Sequence, residues 1–227
     1  MMENARPGLD RPDTLWMQRI TRWLTRFVHF FSVHWIWIIS GAIGGFYVVL
    51  PMLAPWLMVR GHDSWANILY MIYRPLCHQL PERSFFLFGP QYVYTLEELS
   101  HAAGGLVPNR WVGNAEIGYK TTVCQRDLAI YGVMTLAGLL FWPVRRTLKP
   151  LSVRWFVAML APMAVDGGGQ LIGLWTSTPW SRLITGGLFG LAAVLLAFPY
   201  LERGLRTVRA DAATVLAEAS APSTEAR

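Results

Sequence analysis

Charged side chains are scarce in this 227-residue chain: Asp, Glu, Lys and Arg together number 34, or 15%. An average soluble domain carries about a quarter. That shortage, beside 11 Trp and 53% hydrophobic residues, excludes a disordered segment, a coiled coil and a collagen-like chain. It also argues against an ordinary soluble domain. Cysteine is equally sparse, and Cys77 and Cys124 alone are too few for a disulfide scaffold. No P-loop, GxSxG, HExxH, dinucleotide fingerprint or c-type haem motif occurs. The opening MMENARPGLDRPD holds no apolar leader, so the first apolar run is expected to direct insertion itself.

Four long apolar runs stand out. Trp35 to Val59 gives 25 residues without a charge, Leu128 to Val144 gives 17 and Leu183 to Leu201 gives 19. The remaining run, Trp155 to Trp175, is third in chain order and carries Asp166 as its sole charge. A spanning helix needs about 20 apolar residues. The expected fold is therefore all-α: an integral-membrane bundle with spans at about 35–59, 128–144, 155–175 and 183–201, and an outer loop at 60–127. An N-terminal region (1–32) and a flexible tail (203–227) flank the bundle (33–202).

The net charge of +6 reads as topology, not as nucleic-acid binding, because the positives cluster beside the apolar runs. Arg6, Arg11, Arg19, Arg22 and Arg26 precede the first span. Arg145, Arg146, Lys149 and Arg154 lie between the second and third, and Arg203, Arg206 and Arg209 follow the fourth. With four spans, these 12 of the 20 positives fall on one side, which places both termini in the cytoplasm. Trp35, Trp37, Trp56, Trp142, Trp155 and Trp175 near the span ends read as interfacial anchors. Arg19, Arg22 and Arg26, interleaved with bulky apolar residues in Leu15–Phe31, read as an amphipathic helix on anionic lipid. Ser64–Leu80 reads as a helix on or dipping into the outer surface, and Leu96–Lys120 as an exposed, Gly-rich insert. The pairs Gly41/Gly45, Gly169/Gly173 and Gly186/Gly190 permit close helix approach, within the bundle or in a homodimer.

Three clusters carry the candidate chemistry. Asp166 is costly inside a span and marks a functional position unless an arginine or backbone amides hold it. Gln170 shares its face, and Pro162 with Gly167, Gly168 and Gly169 suggests a broken helix of the kind transporters use. Cys77 and His78 form the second cluster; Cys124 and Asp127, with Arg126, form the third. These residues leave three alternatives open: a Cys77–Cys124 disulfide, a Cys77/His78/Cys124/Asp127 zinc site, or inert thiols. Arg74, Glu82, Arg83 and Arg182 are candidate partners for Asp127, Asp166 or an anionic substrate. His29 and His34, each alone on an apolar face, read as core or interface residues.

The runs CHQLPERSFF (Cys77–Phe86), VCQRDLAIYG (Val123–Gly132) and PMAVDGGGQLIGLWTSTPWSRLITGGLFG (Pro162–Gly190) resemble a prokaryotic membrane-protein family, the domain of unknown function 2085 family. Its pattern matches at Cys77, His78, Gln79, Pro81, Arg83, Ser84, Cys124, Arg126, Asp166, Gly167, Gln170, Arg182, Thr185 and Gly186. The resemblance implies a cytoplasmic-membrane bundle around a polar site and brings no activity with it. Asp127 stands where the family pattern has a second cysteine; dithiol chemistry at that motif is lost, while zinc still accepts the oxygen. Three functions follow: a metal site near the outer surface, structural or hydrolytic, with Arg83, Arg182 and Gln170 around it and, if hydrolytic, Asp166 orienting or deprotonating a metal-bound water; a non-enzymatic subunit of a membrane complex; and a small transporter built on Asp166.

Overall fold

The computed structural model describes residues 12–219, so Arg6, Arg11 and the last eight residues of the tail lie outside the described residues. The chain divides into two compact units, Ile36–Tyr200 and a smaller one made of the residues up to Trp35 and from Leu201 onward.

In the smaller unit the first part of helix α1 (Pro12–Gly44) lies beside the last part of helix α7 (Pro179–Glu218). Buried polar groups join them. Glu202, 1% exposed, accepts from Trp35 Nε1 at 2.9 Å, and Arg209 Nη2 lies 3.5 Å from the same carboxylate oxygen. Arg209 also donates to the Ser32 carbonyl, from Nε at 3.1 Å. Trp35 is thus a fully buried hydrogen-bond donor, not an interfacial anchor. The part of the expected tail up to Glu218 is helical, as the end of α7. Leu15–Phe31 is helical, and Trp16, Ile20, Trp23, Phe27 and Phe30 are exposed along it.

In the larger unit α1 passes through a π-helical turn (Gly45–Val49) into α2 (Leu50–Val59). Helix α3 (Asp63–Tyr73) packs on α2 through Ala54, Ala66 and Tyr70. Strands β1 (Ser84–Leu87), β2 (Gly113–Asn114) and β3 (Gly118–Cys124), with helix α4 (Leu96–Ala103), complete the segment before helices α5 (Gln125–Val144) and α6 (Val153–Leu171). The strands form an antiparallel sheet in the order β1-β3-β2. The all-α expectation is corrected here: the fold is mostly helical but includes this sheet. The reason lies in Thr121, Thr122 and Val123, β-branched residues that favour a pleated, half-buried surface. The expected exposed insert is corrected with it. Phe86, Tyr94, Leu99 and Ile117 form a buried cluster beneath the sheet. Gly118, at φ +84°, admits no side chain, since a Cβ there would lie 2.3 Å from the Leu87 carbonyl oxygen.

Among the described residues three helices are long and apolar enough to cross a membrane: Trp16–Val59, Gln125–Val144 and Pro179–Glu218. The first holds 44 residues. At 1.5 Å per residue that is roughly 66 Å, more than twice the ~30 Å hydrocarbon core. The expected third span is the helix α6, but Arg154, Asp166, Gln170 and three glycines dilute its apolar character. Pro162 and the glycine triplet do not break α6, which runs through to Leu171.

The glycine pairs behave differently from one another. A Cβ on Gly190 would sit 2.3 Å from the Ile130 carbonyl oxygen, and one on Gly186 would sit 2.9 Å from that of Arg126, so α7 presses directly on the α5 backbone. Gly41 and Gly45 have open space instead. Gly190→Ala is therefore expected to lower stability by about 1–3 kcal/mol through overpacking, while Gly41→Ala leaves it unchanged or slightly raised. Thermal unfolding of both variants in one detergent checks the contrast; equal behaviour would refute the packing assignment.

A candidate metal centre

The site assembles at the junction of a loop, a strand end and a helix start. Helix α3 ends at Tyr73, and the Cys77 N–H donates to the Tyr73 carbonyl at 3.0 Å, turning the chain back. Gln79 follows at φ +55° and is buried; its Nε2 donates to the Tyr70 carbonyl at 2.8 Å. Lys120 in β3, fully buried, donates from Nζ to the Gln79 carbonyl and so ties this loop to the sheet. Strand β3 then delivers Cys124 as the N-cap of α5, its sulfur 3.5 Å from the Asp127 N–H. The Cys124 thiol donates to Asp127 Oδ2 at 3.2 Å. Sequence spacing of three residues thus becomes adjacency, because a cap and the third residue of a helix face each other.

The sulfurs of Cys77 and Cys124 and a carboxylate oxygen of Asp127 all lie within 4.8 Å of one another, and all three residues are half-buried. Both cysteines are free thiols. The Cys124 thiol beside it holds the Cys77 thiol below the ordinary thiol range, against the opposing effect of burial. The same neighbour relation pushes the Cys124 thiol up, and burial adds to it. His78, expected as a fourth ligand, is exposed and outside this group of three donors; it lines the small cavity beside them.

The remaining site residues pair differently from expectation. Asp166 is bound by Arg126, whose Nη2 also lies 3.3 Å from Ser177 Oγ. Gln170 Oε1 accepts from the Ser177 N–H at 3.2 Å. Room for Arg126 comes from Gly167, where a Cβ would stand 2.8 Å from Nη1. Asp166 is therefore a carboxylate held by an arginine, and the role of deprotonating a metal-bound water does not suit it. Arg83 and Arg182 do not reach Asp166. Arg182, 4% exposed, donates to Gln125 Oε1 at 3.1 Å, and Arg83 Nε lies 3.8 Å from Glu82 Oε1. Sequence reasoning missed Lys120, Gln125 and Ser177. A lysine inside a strand carries no periodic signal of burial, and hydrogen-bonding partners across 50 residues leave none at all.

A model of the family described as predicted membrane protein (DUF2085) matches residues 116–196. An uncharacterized protein of the archaeon Methanocaldococcus jannaschii is 34% identical over 156 residues, which are 65% of this chain and 80% of that protein. The chain belongs to the DUF2085 family. It is a membrane protein, and no solved structure matches it. The DUF2085 match takes in Cys124, Asp127, Asp166, Gln170 and Arg182; Cys77, His78 and Arg83 lie before it.

Lys120 gives this DUF2085 site a pH signature. Burial lowers its ammonium from 10.5 to about 8. Between those values the unfolded chain binds the extra proton, so stability is expected to rise as pH climbs from about 8 towards 10, by up to roughly 3 kcal/mol if the whole shift is expressed. Lys120→Met removes that rise, and its stability at pH 7 is expected to match or exceed the parent's, since an apolar residue replaces a buried charge. Unfolding midpoints across pH, parent against variant, test this; parallel curves would overturn it.

Proposed function

We propose that this membrane protein binds a zinc ion through Cys77, Cys124 and Asp127. The observation that carries the reading is the convergence of two sulfurs and a carboxylate oxygen within 4.8 Å. In a tetrahedral zinc site with bonds of about 2.0–2.3 Å, donor atoms sit roughly 3.3–3.8 Å apart. Only small side-chain rotations separate the present arrangement from that geometry. Thiolates and a carboxylate suit zinc, and the α5 N-terminus favours the anionic form of both its donors. Three protein ligands leave a fourth position for water or substrate, the pattern of reactive zinc sites. A cavity of about 220 Å³ is lined by the three ligands together with His78, Arg83 and Arg126.

The same reading takes α6 as a fourth span, with both termini cytoplasmic. The Arg126–Asp166 pair supports it, because the one carboxylate in α6 is neutralised by α5 rather than left to lipid. Elemental analysis of the purified protein, paired with thiol counting under denaturing conditions without reductant, tests the metal reading. Stoichiometric zinc with two free thiols is the expected result. No metal and no free thiols would replace it with a Cys77–Cys124 disulfide.

A further inference from the structure

Cys77 forms part of the wall of two cavities. One is the space of about 220 Å³ lined by Cys77, Cys124 and Asp127 among others. The other, of about 650 Å³, is lined by Arg74, Cys77, His78, Asn109 and Arg110 among others. Together the two are lined by four arginines and one histidine, and the single carboxylate in either wall is Asp127. Charge compensation is incomplete. Asp166 balances Arg126, and Glu82 stands 3.8 Å from Arg83 Nε, too far for a hydrogen bond. Among the described residues no carboxylate lies within 4.0 Å of Arg74 or Arg110. Arg83 and Arg126 each also bury an Nε–H that has no hydrogen-bond acceptor. A buried donor without a partner is costly, more so on a charged group.

We infer that these neighbouring cavities, which share Cys77 and His78 in their walls, bind the phosphate group of an anionic ligand, with Arg74 and Arg110 drawing it in and Arg83 and Arg126 holding it beside Cys77. Guanidinium groups present planar pairs of N–H donors that match phosphate oxygens, and a concave surface of one sign raises the local concentration of the opposite one. A phosphate monoester carries close to two negative charges at neutral pH, which answers the excess of arginine. This inference uses the pocket of the zinc reading and names its ligand, but the arginines act without the metal.

The test uses full-length protein in neutral detergent, once stripped with chelator and once zinc-loaded, titrated with inorganic phosphate and followed by phosphorus NMR. In parallel, the protein is placed in phosphatidylcholine nanodiscs with and without phosphatidic acid, and retention of that lipid is measured. Arg83→Gln and Arg110→Gln are the variants, both at sites with room to lose charge without unfolding; Arg206→Gln is the control. Saturable binding of inorganic phosphate identifies a soluble phosphate-bearing ligand, and retention of phosphatidic acid alone identifies a lipid headgroup. In either case each site variant is expected to bind about tenfold more weakly, the scale of one lost charge-assisted hydrogen bond, with the control unchanged. No binding of either probe, or binding that Arg83→Gln and Arg110→Gln leave intact, overturns the inference. Binding by the stripped protein sustains it even where elemental analysis finds no zinc.

Discussion

Cys124→Ser is expected to abolish zinc binding while leaving the fold intact. The two effects separate because serine is among the best N-cap residues, so the start of α5 keeps its cap while the site loses a sulfur. Removing a group that merely orients a ligand costs about 10–100-fold in metal affinity, and losing the ligand itself should cost at least the upper end of that range. Cys77→Ser is expected to match it from the other side of the site, although Cys77 caps nothing. Asp127→Cys works in the opposite direction. It puts a third sulfur where the carboxylate stood, in the Cys-x-Arg-Cys arrangement that the family pattern has, and zinc is expected to be retained or held more tightly. Competition against a chromogenic chelator reads all three variants. A Cys124→Ser protein that keeps stoichiometric zinc would sink the ligand assignment. A parent protein without zinc would sink the site.

The helices were legible because apolar runs bounded by charges need no tertiary information. Leu128–Val144 and Leu183–Leu201 lie inside α5 and α7 for that reason. Their ends were not legible. Helix α7 continues past Glu202 because that carboxylate is buried against Trp35 rather than exposed to water, a contact across 167 positions. The sheet was hidden differently. Ser84–Leu87 is four residues long, and β3 follows a Gly-rich, polar stretch and carries Lys120, so its β-branched run was submerged in the composition around it. Within the site, Cys124 and Asp127 could be grouped from spacing alone. Cys77 reaches them only because α3 turns back at Tyr73 and Lys120 ties the loop to β3, and neither step leaves a sequence signal. His78 illustrates the converse: adjacency to Cys77 in sequence does not bring its ring nitrogens into the group of three donors.

Asp166→Asn is expected to destabilise the protein by about 3 kcal/mol or more, the cost of leaving a buried charge without its partner. The charge left behind is Arg126, only 17% exposed at its side chain, enclosed by Gly167 and Gly186 and already lacking an acceptor at Nε. The stranded guanidinium meets only the small cavity that it lines, because the glycines that make room for it leave no space on their own sides. The double variant Arg126→Gln/Asp166→Asn replaces the ion pair with two amides of similar shape and is expected to recover more than half of the loss. The single variant Arg126→Gln closes the cycle with the parent, and the coupling energy measures the pairing. Denaturation in mixed micelles, followed by tryptophan fluorescence, reads all four proteins. The outcome also decides what Asp166 is for. A coupling acid in a carrier must release and take up a proton, so its replacement would stop flux while stability held. A structural acid shows the reverse, with stability lost in the single variant and restored in the double. The geometry favours the second: the carboxylate, Arg126, Ser177 and Gln170 form one closed set of contacts that ties α6 and the turn after it to the start of α5, the helix that bears Cys124 and Asp127. Loosening that set should therefore weaken zinc binding as well, through the position of the α5 N-terminus rather than through any contact between Asp166 and the metal.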